Sequence, residues 1–389
     1  RRARARTGGG GGARSSVGCA ADGTLEEGTV KRFLGTLVVA IVAVFVSAAL
    51  LEFGVRLALG EQVKFPRRVV GAPFGLRINE PNAHYRHRSA DVTVSFRING
   101  QGMRADRDFA YSKPAGVKRI VSLGDSFTIG YEVEAEETFS SVLESALRAQ
   151  GENVEVLNAG VSGYSTAEEF LYLDRELFRY EPDLVLVSFY GNDLVDNTRT
   201  GLFRLEGDRL VEAAQVYVPA GRLGDFLNTN WLFSFLSERS DSFALIKEVA
   251  TLALKRRMVD ENLEQLKVGP ADDEAIQSEQ RRLTAAIFER IYAATRQRGI
   301  PLVIQSIPAD TYPEGRERPV VLIEQFPLEY FDVNREGLTF FPAQSVLQAE
   351  VGKRLLYYQK SHAHWVPWSH RASGEALARL ILAGDLLDR

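Results

Sequence analysis

Cysteine is nearly absent. Cys19 is the only one among 389 residues, and it precedes the longest apolar run, so the chain has no internal disulfide and no cysteine metal site. Histidine is scarce too: His84, His87, His362, His364 and His370 are the whole supply, and any histidine-dependent chemistry must draw on them. The formal net charge of −4 is too small to point to a nucleic-acid partner. No Gly-x-Ser-x-Gly elbow occurs, which disfavours an α/β-hydrolase turn. P-loop, dinucleotide fingerprint and metal-ligand clusters are also missing, so no cofactor and no metal are expected.

What is present is enough apolar residue, 45%, for a sizeable core. The length suits two average domains, or one large α/β domain with appendages. Residues 1–32, with a glycine run (Gly8 to Gly12) and scattered arginines, read as a disordered cytoplasmic tail. Phe33 to Leu51 carries no charge over nineteen residues, and a weaker apolar stretch continues to Leu59. At 1.5 Å per residue this nearly spans a hydrocarbon core of ~30 Å. Lys31, Arg32 and earlier arginines precede it, so the positive-inside rule leaves the N-terminus in the cytoplasm and exports the rest. The run exceeds the apolar part of a signal peptide, which favours an uncleaved anchor over residues 33–59 in a bacterial inner membrane, with a periplasmic domain beyond it.

Residues 60–117 are polar and turn-rich and read as a membrane-proximal extension packed on the main domain. Val92 to Ile98 alternates like a strand. His84 and His87, without a carboxylate at ligand spacing, read as surface histidines. From Lys118 the pattern changes. Strands are expected over 118–123, 154–157, 183–189 and 300–307, with amphipathic helices over 137–147, 166–180 and 279–298. Strand and helix alternating at this spacing predict a doubly wound, mostly parallel sheet. Residues 194–275 lose the rhythm: 201–230 read as loop and 231–266 as mostly helix, either a lid or an excursion of no functional weight. Residues 309–342 look irregular, and 343–357 and 370–387 helical.

Four segments carry the candidate chemistry. Gly124-Asp125-Ser126 ends the first strand, Asn158 to Gly163 follows the second, and Tyr190-Gly191-Asn192-Asp193 follows the third. His364-Trp365-Val366-Pro367-Trp368-Ser369-His370 precedes the last helix. Successive strand ends of a parallel sheet share one edge, so the segments can converge. Ser126 offers a nucleophile, a histidine its base, and the N–H groups of Ser126 and Gly163 with the Asn192 amide offer oxyanion donors. Asp125 and Asp193 read as structural residues of their turns, Trp365 and Trp368 as core, and His362 and His370 as a surface and a helix-start residue.

Taken together these blocks resemble the SGNH (GDSL-type) hydrolase superfamily over about residues 118–389, with a gap between roughly 200 and 275. The resemblance implies an α/β/α sandwich with a flavodoxin-like sheet. It also implies Ser126 as nucleophile, Gly163 and Asn192 with Ser126 in the oxyanion hole, and His364 as catalytic base. One departure stands out. Relatives place an aspartate two or three residues before the histidine, where this chain has Ser361 and His362, and no acidic residue occurs between Glu350 and Glu375. A backbone carbonyl or a distant carboxylate would have to orient the imidazole. The expected function is a serine esterase acting on an acyl ester, such as an O-acetyl ester, of an envelope glycan or lipid. An O-acyltransferase on an envelope polysaccharide and a non-catalytic glycan-binding scaffold are the alternatives.

Overall fold

The structure is a computed structural model that describes residues 23–66, 68–218, 221–265, 273–311, 321–361 and 363–388. Five strands build its main sheet: β5 (Lys118–Leu123), β6 (Val154–Asn158), β7 (Leu184–Phe189), β10 (Leu302–Ser306) and β13 (Leu338–Pro342). The strand labels count four short strands before them: β1 (Val69–Gly71), β2 (Arg77–Asn79), β3 (His84–Arg88) and β4 (Thr93–Arg97). The order across the sheet is β13-β10-β7-β5-β6, and every pairing is parallel. Numbered within the sheet this is 2-1-3-4-5, the flavodoxin-like order, whose switch point lies beside its first strand, β5.

Both faces of the sheet are covered, which is why its strands read as continuous apolar runs. Alternate residues serve opposite layers. Val121, Val185 and Ile304 face a core completed by α4 (Thr166–Arg175) and α9 (Asp273–Gln297), through residues such as Leu171, Ile287 and Ile291. Ile120, Leu186 and Val303 face the other core, completed by α3 (Phe139–Ala149) and α11 (Pro367–Ala383) through Leu143, Leu147, Leu377 and Ile381. This is the α/β/α sandwich expected. Arg119 in β5 is buried because Glu155 and the carbonyls of Ala110, Tyr111 and Tyr180 satisfy its guanidinium.

Residues 23–57 form a unit of their own. Its helix, α1 (Gly23–Leu59), starts ten residues before the uncharged run. Residues 23–32, expected as tail, are therefore helical; hydropathy marks only the part able to cross a bilayer, while Leu25, Glu26 and Glu27 are ordinary helix formers. Residues 1–22 lie outside the described residues. The stretch Thr29–Leu59, 31 residues, is long and apolar enough to span a membrane.

Other expectations change. The segment 201–230 holds a hairpin, β8 (Phe203–Glu206) with β9 (Arg209–Glu212), and a helix, α6 (Gly221–Thr229). After α5 (Asn192–Thr200), α7 (Trp231–Arg239) and α8 (Asp241–Gln265) complete the insertion. The segment 309–342, expected to be irregular, supplies the fifth strand, β13, and an antiparallel pair, β11 (Ala309–Thr311) with β12 (Val321–Ile323). Residues 343–357 are helical only over α10 (Gln344–Leu347) and a 3₁₀ turn.

His370 lies in α11, fully buried, where its ring stacks on Phe139 and Nδ1 accepts the Phe139 N–H at 3.3 Å. Burial pulls its pKa down to about 3. The unfolded chain takes up a proton near pH 6.5 that the fold refuses, so stability must fall as pH drops from about 6.5 toward 3. His370→Asn keeps an acceptor without the titration. Between pH 6.5 and 5 the parent should lose about 2 kcal/mol more than the variant in urea unfolding. Equal losses would mean that the imidazole is charged inside the fold.

Candidate active site

The first strand delivers Ser126 to the carboxyl edge of the sheet. Gly124 closes β5 at φ +153°, and a Cβ there would collide with Thr128 Oγ1, so only glycine fits. Asp125 caps the short α2 (Ser126–Ile129) by accepting the Phe127 N–H at 2.9 Å. That is the structural part expected of it. Ser126 is left at the turn's mouth, and His364 reaches it from 238 residues away, Nε2 to Oγ at 2.8 Å.

Three constraints hold His364. The carbonyl of its own peptide accepts the Tyr358 N–H at 2.9 Å. Its ring lies 5.0 Å from those of both Phe127 and Tyr131. Its Nδ1 faces Glu132 Oε2 at 3.5 Å. Glu132 is fully buried, and its other oxygen lies 3.3 Å from His87 Nε2. Burial pushes the carboxyl up, but His364 and His87 outweigh this and hold it well below the ordinary carboxylate range. Glu132 is thus ionised at neutral pH. Burial lowers the pKa of His87 against the pull of Glu132, which leaves that imidazole neutral.

Glu132 sits at φ +65°, a left-handed conformation costly for a residue with Cβ. Arg104 over-determines it. The buried guanidinium donates to the carbonyls of Ile129, Gly130 and Val133, on either side of Glu132, and to that of Ser95. Behind this turn Tyr85 and Phe96 of the β3–β4 hairpin, joined by Phe65, pack against Ile129 and Tyr131. His87 belongs to that hairpin and is buried, not at the surface: it alternates inward along β3 while His84 points out.

The neighbours of β5 are β6 and β7, so the segments after them flank Ser126. After β6, Asn158 Nδ2 donates to the Thr128 carbonyl at 2.7 Å. A Cβ on Gly160 would lie 2.3 Å from Ile129 N, so this loop seats directly on the serine turn. Gly163 follows at φ +70°, its carbonyl held by Arg77 and Arg199. Beyond β7, Asn192 opens α5, with Nδ2 3.4 Å from Asp196. Of these four, only Ser126 and His364 are bonded to each other; Gly163 stands in the loop after β6 and Asn192 at the first residue of α5. Asp193 is buried and accepts from Thr166 Oγ1 at 3.1 Å, a structural role. Burial raises the carboxyls of Asp125, Glu169 and Asp193, which crowd beneath the turn.

Trp365 is core, edge-on to Phe127 and Phe139, while Trp368 is half-buried under Arg354. His362 lies outside the described residues. The acid beside His364 escaped the sequence reading because Glu132 is one of four glutamates between 132 and 137, at no spacing that marks it.

The profile of the GDSL-like lipase/acylhydrolase family matches residues 122–365. An arylesterase of Vibrio mimicus is 36% identical over 76 residues, 20% of this chain; the chain spans only 38% of that relative. Among solved structures, AlinE4, an SGNH-hydrolase family esterase, is 18% identical at a TM-score of 0.32, with 70% of this chain and 98% of that one covered. A GDSL-like lipase from Bacteroides thetaiotaomicron is 13% identical at a TM-score of 0.31, covering 69% and 89%. The family profile runs from the strand before Ser126 through the segment that carries His364, and the chain belongs to the GDSL-like lipase/acylhydrolase family.

Proposed function

We propose that the protein is a serine esterase whose triad is Ser126, His364 and Glu132. The observation that carries this reading is the run of contacts from Ser126 Oγ to His364 Nε2 at 2.8 Å and from His364 Nδ1 to an ionised Glu132 at 3.5 Å. Ser126 Oγ attacks the ester carbonyl as its proton passes to His364 Nε2. The tetrahedral oxyanion takes hydrogen bonds from the N–H groups of Ser126 and Gly163 and from Asn192 Nδ2. His364 then gives the proton to the departing alkoxide, leaving an acyl-Ser126. Water, deprotonated by the same imidazole, releases the acid and restores the hydroxyl. Glu132 stabilises the imidazolium in both halves and fixes the tautomer of the neutral imidazole.

The substrate side of the proposal rests on α1. The uncharged run from Phe33 to Leu51, with Lys31 and Arg32 directly before it, favours an inner-membrane anchor with residues 1–32 cytoplasmic and the catalytic domain, 118–389, periplasmic behind the 60–117 extension. The substrate would then be an acyl ester, such as an O-acetyl ester, of an envelope glycan or lipid.

Full-length protein should hydrolyse p-nitrophenyl acetate and react with a fluorophosphonate probe, and Ser126→Ala should lose both; turnover that survives this substitution would refute the mechanism. Adding an acceptor glycan separates the esterase from an O-acyltransferase: free acetate as the main product is expected, and acyl transfer to the glycan would reverse the assignment. Glu132→Gln, equal in size, should lower kcat/KM by on the order of 10³ to 10⁴, as loss of a triad carboxylate does. The acid limb of its pH profile should also move to lower pH, because the imidazolium loses its counter-charge. A fall in rate with the limb unmoved would assign Glu132 a purely structural part.

A further inference from the structure

The insertion carries apolar side chains outward. On α7, Trp231, Leu232 and Phe235 share one face and are exposed, Trp231 at 73%. Ile246 and Val249 on α8, and Leu223 and Phe226 on α6, are exposed in the same way. Among the described residues from Leu59 onward, nine of the nineteen large apolar side chains left exposed fall within 223–254, a concentration that marks an interaction surface. Basic residues border it: Arg222, Arg239, Lys247, and the run Lys255-Arg256-Arg257 where the α8 stripe ends.

Chain connectivity says what covers this face. The apolar helix ends at Leu59, and three residues later the Gln62 N–H donates to the Asp241 carboxylate at 2.8 Å, at the first residue of α8. The buried Lys64 ammonium pairs with the same carboxylate, and Lys247 donates to the Phe65 carbonyl. Val63 and Phe65 also share the walls of a cleft of about 330 Å³ with Phe233 and Leu252. Three residues of chain reach about 10 Å. A bilayer surface at Leu59 would lie within that reach of the α7–α8 junction.

We infer that α6, α7 and α8 dock on the surface of the bilayer that α1 crosses, with Trp231 at headgroup level and the bordering lysines and arginines toward anionic phosphates. This rests on reading α1 as a membrane anchor. The insertion is then a second, interfacial foot of the enzyme.

The test uses full-length protein in phosphatidylcholine–phosphatidylglycerol liposomes whose acyl chains are brominated near the headgroup end. The chain has three tryptophans and α1 has none; Trp365 is sealed in the core and Trp368 half-buried under Arg354. Brominated lipid should quench the fluorescence, and Trp231→Phe, which keeps an apolar ring, should lower that quenching several-fold. Quenching of Trp231 by aqueous iodide but not by brominated lipid would overturn the inference, because the face would lie in water. Quenching by neither would also overturn it, with a second copy or another protein surface as the cover. Flotation of the protein with liposomes reads the anchor separately: failure to float would refute the anchor and this inference together, whereas flotation without lipid quenching refutes only the docked face.

Discussion

A carboxylate buried against an imidazole must be kept both ionised and aimed, and the surroundings of Ser126 are built around that demand. Burial alone would protonate Glu132; two imidazoles, from His364 and His87, reverse the balance. Aiming it costs backbone strain at φ +65°, of order 1–3 kcal/mol for a residue with Cβ. Arg104 offsets that cost by tying together the carbonyls on both sides of Glu132. Burial draws its guanidinium down to about 10, so it stays charged at neutral pH. Its charge also rests on the face of Phe96, 4.0 Å from the ring centre, which locks the bond cluster to the β3–β4 hairpin.

This gives the segment before the sheet a part in the site. Composition read residues 60–117 as a membrane-proximal extension packed on the main domain. Its hairpin supplies His87 to the Glu132 carboxylate and the aromatic wall behind Tyr131. A hydrolase domain cut at Lys118 would keep Ser126, Glu132 and His364 but lose Arg104, His87 and Phe96, the residues that make the Glu132 conformation tolerable.

The sheet was legible in sequence because strands buried on both faces leave continuous apolar runs, as in Val185-Leu186-Val187. Ser126 and His364 were legible because each sits in a block with its own local signature. Glu132 and His87 were not. Their significance is a contact made across the fold, and neither periodicity nor spacing encodes it. The fifth strand, Leu338-Thr-Phe-Phe-Pro342, hid for another reason: as an edge strand it is only partly buried, and its proline ends the run like a loop signal. Helix was expected over 343–357, where propensity favoured it, but Gly352 at φ +77° and the pairing of Tyr357 with Trp365 turn the chain toward His364 instead.

With the acid drawn from this position, seven consecutive residues hold most of the site. Ser126 is the nucleophile of the proposed mechanism, Phe127 and Tyr131 flank the imidazole at 5.0 Å each, and Glu132 faces its Nδ1. Nucleophile, flanking rings and acid are therefore fixed relative to one another by one turn. That turn is seated by Asn158 and by the close approach of Gly160, and braced by Arg104. Where the acid stands two or three residues before the histidine, the base and its orienting group arrive together on the C-terminal segment. Here only His364 arrives from afar, and it enters a slot whose walls and charge already exist. The burden of precision moves from the C-terminal loop to the β5–α2 turn. A last block with no acidic residue can thus still deliver an oriented base.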